Sequence, residues 1–287
     1  MRRLPALATI CLAFALPVTA LAETLSKPLR NAVPARAGGT IVLENLAGTL
    51  EVVAGQGAEA VPRGTAYSDA GSASDARRLL DAVTVDVKDG GGRPTIHVTY
   101  PVDEAPFRYR TPNHGSWSRS SSTVDYQGRR VRVTDGRSSD PLLYADLTLE
   151  VPPGVDVQVT NHVGRVTARR VGGDLDVKTA SADLSADEVA GALKIRTGSG
   201  DIRVSGSAGL DVSTGSGDVE ADRIQGAMRI STGSGDVRLG LSAGERVSVQ
   251  TGSGDVSLDE VAGSLELHTG SGDIDGRALS QVERLDV

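Results

Sequence analysis

The sequence reads as an all-β protein: a parallel β-solenoid (β-helix-like) with coils of about 18 residues, plus a small α+β excursion near the N-terminus. Three observations lead there. The pentapeptide Thr-Gly-Ser-Gly-Asp occurs five times, ending at Asp201, Asp218, Asp236, Asp255 and Asp273, in steps of 17, 18, 19 and 18 residues. Between these turns apolar and polar residues alternate, the period of a half-buried strand. The frame continues upstream in weaker copies, Thr179-Ala-Ser-Ala-Asp183 and Asn161-His-Val-Gly-Arg165. A fixed period just under twenty residues marks repeats that bury their apolar face only against their neighbours.

Taken in order, Arg2 and Arg3, the apolar run Ala6 to Leu16 and the sequence Ala20-Leu-Ala22 form the basic start, apolar centre and cleavage site of a secretory signal peptide over residues 1–22. The run is too short to span a bilayer as a stable helix. The single cysteine, Cys11, lies inside it, and Ile10 stands where a lipid-anchor signal has a small residue. The mature chain is therefore expected to lack disulfides and transmembrane segments, and to act in the periplasm or at the cell surface. Residues 23–152 hold one early coil, around Asn45-Leu-Ala-Gly-Thr49, and then the excursion. Here Ser74 to Leu80 reads as a short capped helix, Val83 to Lys88 and Thr95 to Tyr100 as a hairpin about Gly90-Gly-Gly92, and Leu142 to Val151 as a strand stopped by Pro152 and Pro153. Residues 102–140 between them read as an irregular Ser/Arg-rich loop, and residues 153–287 as the repeat solenoid.

Within one coil, Val219 and Ala221 flank Glu220, Gly226 makes a turn, and Met228 and Ile230 flank Arg229. The two glycines of each pentapeptide are expected to close the coil through backbone angles that other residues resist. Stacking the coils gives two inward columns with no polar member. They are Val166, Leu184, Ile202, Val219, Val237, Val256, Ile274 and Val177, Ile195, Val212, Ile230, Val249, Leu267. Outward neighbours change sign from coil to coil, as in Asp176, Lys194, Asp211 and Arg229, which penalises a slipped register. Residues 280–287 place Glu283, Arg284 and Asp286 in and around expected inward positions, which reads as a charged end that resists edge-to-edge growth and favours a monomer, the alternative being a docking edge for another chain.

The formal net charge is −7, and from Asn161 onward 20 acidic residues face 13 basic ones, which argues against a nucleic-acid partner. Asp183, Asp201, Asp218, Asp236, Asp255 and Asp273 are expected to stand in line and to accept hydrogen bonds from turn amides. A metal ladder, calcium by its oxygen-only ligands, is the alternative reading. The glycine-rich calcium repeat recurs every nine residues, however, and here only one side of each coil carries the motif. The four histidines, His97, His114, His162 and His268, have no metal-ligand spacing. There is no nucleophile elbow and no phosphate loop. One identical aspartate per coil speaks for structure, because catalysis needs one distinctive cluster. The chain is thus expected not to be an enzyme, a carbohydrate-active β-helix enzyme being the remote alternative. The distinctive segment is the loop, where Phe107, Arg108, Tyr109, Arg110, Trp117, Arg119 and Tyr126 are the candidate ligand-binding residues. Exposed aromatics interleaved with arginine are a binding composition. The competing reading is an insert with no ligand.

The recurring pentapeptide turns, the stretch E-N-L-A-G-T-L-E-V from Glu44 to Val52, and the strand ending V-P-P-G from Val151 to Gly154 carry a resemblance. The chain resembles the bacterial putative-adhesin family, a domain of unknown function made of β-strand repeats in exported envelope proteins. The resemblance covers most of the mature chain. It implies a β-solenoid body, a place in the envelope or on the surface, and no catalytic residues. The expected function is adhesion or binding of an envelope or cell-surface component. The alternative is a structural or envelope-stress-sensing scaffold that works through an envelope protein partner.

Overall fold

The computed structural model describes residues 24–89, 92–109, 120–135, 138–279 and 282–286. The signal-peptide reading, His114, and Arg110, Trp117 and Arg119 of the loop lie outside them. Strands β1 (Leu25–Arg30) and β2 (Val33–Pro34) lead into β3 (Thr40–Ala47) and β4 (Leu50–Ala54), the two sides of the early coil. The excursion follows: β5 (Glu59–Asp69), α1 (Ala73–Asp81), β6 (Thr84–Asp89), β7 (Pro94–Thr99), β8 (Phe107–Tyr109), β9 (Ser120–Tyr126), β10 (Arg129–Asp135) and β11 (Leu142–Val151). The remaining strands wind the solenoid: β12 (Asp156–Val163), β13 (Val166–Arg169), β14 (Leu175–Ser181), β15 (Leu184–Ser199), β16 (Ile202–Ser216) and β17 (Val219–Ile224). They continue as β18 (Met228–Ser234), β19 (Val237–Ser253), β20 (Val256–Thr269), β21 (Ile274–Arg277) and β22 (Val282–Asp286). The solenoid makes about seven turns.

Both inward columns stack in the register that the sequence predicts. Val166, Leu184, Ile202, Val219, Val237, Val256 and Ile274 stand opposite one another through parallel pairings, as do Val177, Ile195, Val212, Ile230, Val249 and Leu267. All are buried except the half-buried Ile274 on the last coil. Outward side chains pair across coils as the alternating signs require: Lys194 Nζ lies 3.2 Å from Asp211 Oδ2, and Arg203 Nε 3.5 Å from Glu220 Oε2. Such exposed pairs each contribute at most about 1 kcal/mol, so burial holds the coils and charge selects the register. The last strand resumes the frame after an irregularity, with Leu285 opposite Leu265 and Asp286 opposite Glu266.

The early coil is the first rung, although its strands precede the rest by more than a hundred residues. β3 pairs with β12 so that Asn45 faces Asn161, and β4 pairs with β13 so that Leu50 faces Val166. The two asparagines are fully buried and bonded, Asn45 Nδ2 donating to Asn161 Oδ1 at 2.9 Å and Asn161 Nδ2 to Gly48 O at 3.0 Å. Tyr100 closes the chain by donating to Asn45 Oδ1 at 2.7 Å. In later coils a buried threonine takes the same place, and Thr197 and Thr214 donate to the carbonyls of Ser199 and Ser216.

The excursion caps this first rung. β7 adds in parallel to β3, and β11 in parallel to β4, while β5 runs antiparallel to both β11 and β1. Ser72 caps α1 by accepting from the Asp75 amide at 3.1 Å, and the helix buries Ala76, Leu79 and Leu80. The irregular loop expected over residues 102–140 is corrected: β8, β9 and β10 lie there. Val124, Tyr126, Val131 and Val133 are buried at alternate positions, and Gln127 and Gly128 both take positive φ, 51° and 77°, the turn that matches strand twist.

The two glycines of each pentapeptide do different jobs, which corrects the expectation that both supply unusual angles. Gly235 takes φ +148°, and its counterparts in other coils are also positive. Gly233 is extended strand, but a Cβ there would lie 2.6 Å from the carbonyl oxygen of Gly215 in the coil beneath. Each coil also turns at a second corner, four residues after the first strand begins, on a left-handed residue that is not glycine in Arg170, Glu188, Arg223 and Glu260 (φ 52°, 56°, 56° and 55°). Gly235→Ala combines an unfavourable φ with a Cβ 2.2 Å from Gly217 O, and is expected to cost more than about 2 kcal/mol in urea unfolding. Gly240→Ala, whose Cβ would meet only Asp222 Oδ1 at 3.4 Å, should stay within about 1 kcal/mol of the native protein.

Candidate binding face

The aspartate column is a hydrogen-bonded ladder. The amides of Asp201, Asp218, Asp236, Asp255 and Asp273 donate to Oδ1 of the aspartate one coil earlier, at 3.3, 3.2, 3.0, 3.0 and 2.9 Å. Each carboxylate thus satisfies the backbone donor that the corner exposes, as a capping side chain does at a helix start. Arg238 offsets part of the stacked charge, 2.8 Å from Asp236 and 3.8 Å from Asp218. Among the described residues no group of three His, Cys, Asp or Glu side chains is placed to hold a metal ion. The ladder's lowest rung comes from the excursion: Asp146 Oδ1 accepts from the Thr49 amide at 2.7 Å. Burial pushes the Asp146 carboxyl up, and the Thr49 amide works against that.

The aromatics expected to be exposed are core. Phe107, Tyr109 and Tyr126 are each at most 1 % accessible, because they supply the apolar volume between the β9–β10 hairpin, β8 and the capped first rung. Tyr109 meets Tyr144 edge-on at 5.3 Å between centroids, and Tyr126 meets Tyr100 edge-on at 6.0 Å. Arg108 is half-buried, its Nε donating to Asp140 O at 3.4 Å.

The fold also gathers residues that spacing had kept apart. Glu44 on β3 lies 3.0 Å from His97 Nδ1 on β7 and 3.2 Å from His162 Nε2 on β12, and Tyr126 covers His162 edge-on at 5.5 Å. The His162 hydrogen bond is the main force holding the Glu44 carboxyl below its usual range, and burial opposes it. The equivalence of Asn45 and Asn161 was the available signal, since it sets Glu44 and His162 on neighbouring rungs. His268, by contrast, is exposed.

The surface with capacity for a ligand is the outward side of the first strand of each coil. Two hollows of about 780 and 390 Å³ adjoin there and share Glu220 and Asp222. Arg169, Asp187 and Arg203 line one, Arg238, Asp259 and Arg277 the other. The second corner forms one bank, with Leu241 56 % exposed on it. Arg203 and Glu220 pair across coils within the lining at 3.5 Å, and Arg223 on the corner reaches Asp222 at 3.0 Å and Asp187 at 4.0 Å. Being solvated, they are held weakly and can exchange a partner for a ligand's hydroxyls or charges at small cost. The result is a groove across successive coils, charged by arginines and acids and apolar between them.

Asp218→Asn, which keeps an Oδ1 acceptor for the Asp236 amide, is expected to leave stability unchanged or raised in chemical denaturation; Asp218→Ala should lose about 1 kcal/mol. Glu44, with its folded pKa depressed, contributes stability above the ordinary carboxylate range that is lost as pH falls through the lowered value. Glu44→Gln should therefore be less stable than the native protein at pH 7, and the gap should close as pH falls through the lowered value.

Several solved structures are similar to the chain over most of its length. A putative cell adhesion protein from Clostridium sporogenes is 9% identical, with 88% of this chain and 99% of that one covered and a TM-score of 0.26. A putative adhesin from Bacteroides fragilis is 12% identical, with 87% and 97% covered and a TM-score of 0.31. A putative lipid binding protein from Parabacteroides distasonis is 11% identical, with 91% and 96% covered and a TM-score of 0.34. No curated protein matches. Residues 118–287, more than half of the chain and all of its solenoid repeats after the early coil, match the family described as Toastrack DUF4097, and the chain belongs to that family.

Proposed function

We propose that this protein is an exported, non-catalytic binding solenoid that holds an extended, hydroxyl-rich component of the cell envelope or of a surface, as an adhesin does. The observation that carries the reading is the continuous groove of paired arginines and acids from Arg169 to Arg277. A rigid register sets its polar groups at the strand spacing of about 4.8 Å, a regular comb suited to a polymer and poorly suited to a compact substrate. The basic start and apolar run of residues 1–22 support export. A second reading, a scaffold or envelope-stress sensor acting through a protein partner, has the last rung in its favour. β21 and β22 pair only with β20 among the described residues, which leaves strand edges for another chain.

The test is co-sedimentation of residues 23–287 with isolated envelope fractions. Arg203→Gln combined with Glu220→Gln and Arg238→Gln should weaken binding about tenfold, while a Gly-Ser replacement of residues 110–119 should not. The replacement is kept short because removing all of 102–140 would delete Phe107, Tyr109 and Tyr126 from the core. Undiminished binding by the triple variant would reject the groove. Failure of every form to sediment would transfer the reading to the protein-partner scaffold.

A further inference from the structure

In a repeat protein the departures from the repeat are the places with something particular to do, and two departures here fall at one corner. The step from Asp201 to Asp218 is one residue short of the 18 on either side, and the step from Asp236 to Asp255 is one residue long. The strands ignore both changes. Between the opposed pairs Val189–Ser207 and Ala192–Gly209, the earlier coil has two residues and the later one has only Ala208. Between Ala243–Ala262 and Arg246–Ser264, the earlier coil has two residues and the later one has only Gly263. Both changes are absorbed where each coil turns into its second strand. One coil is therefore drawn in at this corner, and the coil two further along carries an added residue immediately before Arg246.

A hollow of about 600 Å³ lies over the drawn-in coil. Its apolar lining combines the small residues Ala192, Ala208, Gly209 and Ala227 with the buried Leu193, Leu210 and Met228. Its charged lining is Lys194, Asp211, Arg229 and Arg246, three cations and one carboxylate, for a net charge of +2. Lys194 is spoken for by Asp211 at 3.2 Å, whereas Arg229 and Arg246 are exposed and make no ion pair among the described residues. This cationic recess sits in a solenoid where acids outnumber bases 20 to 13. The recess, its cations and both changes of coil length fall at the same corner.

We propose that this recess is a binding site for a phosphate group carried on a compact organic body. Guanidinium groups present planar forks of N–H donors that match a phosphate's oxygens, and in an acidic protein they give the site its selectivity for an anion. Asp211 keeps Lys194 to one side, so Arg229 and Arg246 hold the phosphate while the alanine-lined floor receives the body. The hollow is of ordinary ligand-pocket size. It lies on the second strand of the coils, away from the groove on the first, so this site and the groove stand or fall separately.

The experiment is a titration of the full mature chain with glycerol 3-phosphate, read by isothermal calorimetry, with glycerol as the uncharged control. Saturable binding is expected for the phosphate alone. Arg229→Gln with Arg246→Gln should weaken it at least about tenfold, as loss of two charge-assisted contacts implies. Gly209→Met provides a variant that keeps every charge. A Cβ at Gly209 meets only Ala227 O at 3.5 Å, so the side chain can fill the recess without disturbing the core, and it too should abolish binding. Arg203→Gln with Arg238→Gln, in the groove, should bind as the native protein does. Thermal melts of each variant confirm that it is folded. Sedimentation with phosphatidylglycerol vesicles, against phosphatidylcholine vesicles, identifies the source. Vesicle binding that is lost in the same variants assigns the phosphate to a lipid headgroup, and binding of the soluble phosphate alone assigns it to a soluble or polymer-borne group. Absence of saturable binding, survival of binding in the Arg229/Arg246 variant, or equal loss in the groove variant would overturn the site.

Discussion

Everything in this molecule depends on coils approaching one another at the spacing of neighbouring strands, with their corners aligned. At the pentapeptide corner that spacing leaves no room for a side chain, because the backbone of one coil lies directly over a carbonyl of the coil beneath. Glycine is required there first by distance and only secondarily by backbone angle. Close stacking also exposes an amide at the corner of every coil, and the aspartate of the coil below accepts it. The likeness of the five pentapeptides within this chain is thus the record of one corner repeated: Gly for clearance, Thr for a hydroxyl that bonds a carbonyl of its own turn in Thr197 and Thr214 and of the preceding coil in Thr251 and Thr269, Asp for the next amide.

That contact explains which parts of the fold were legible in the sequence. Inward columns could be read because burial imposes period two and the coil length imposes the longer period, and both act on residue type. The early coil could be read because Asn45 to Thr49 keeps the same outline. β11 was recognised as a strand but not as a rung. At its corner Ala145-Asp146 stands where other coils have Gly-Asp, and the equivalence emerges from the pairing of Leu147 with Leu50 and the ladder bond from Thr49 to Asp146. The β9–β10 hairpin is hidden by composition, since serines and arginines on its outer side outweigh the four buried apolar positions, Val124, Tyr126, Val131 and Val133. The left-handed second corner left no trace, because Arg170, Glu188, Arg223 and Glu260 adopt it without glycine. The cluster of Glu44, His97 and His162 was invisible for another reason: it joins three segments whose neighbours in space are set by the cap, and the repeat does not encode the cap.

The division of labour between repeat and irregularity carries over to function. The aspartates, the most conspicuous feature of the sequence, are occupied in holding coils together. The aromatic residues of the excursion are occupied in closing the first rung, with Tyr100 extending the buried asparagine pair and Tyr126 lying against His162. What remains for partners is the outer surface, where side chains differ between coils because only weak, solvated ion pairs link them. Charge there is arranged along the axis, and the changes in coil length are confined to one corner.

The direction of the hydrogen bonds has a mechanical meaning. In a solenoid they run between coils, along the stacking axis, so a pull along that axis opens one rung at a time instead of shearing a whole sheet. The capped end is tied by β5, β7 and β11, whereas β21 and β22 pair only with β20 among the described residues, so these are the rungs that a load opens first. Each coil of 18 residues that peels away adds about 60 Å of extended chain. A rod of this construction lengthens in steps under tension, and a tether built from it yields gradually before it lets go.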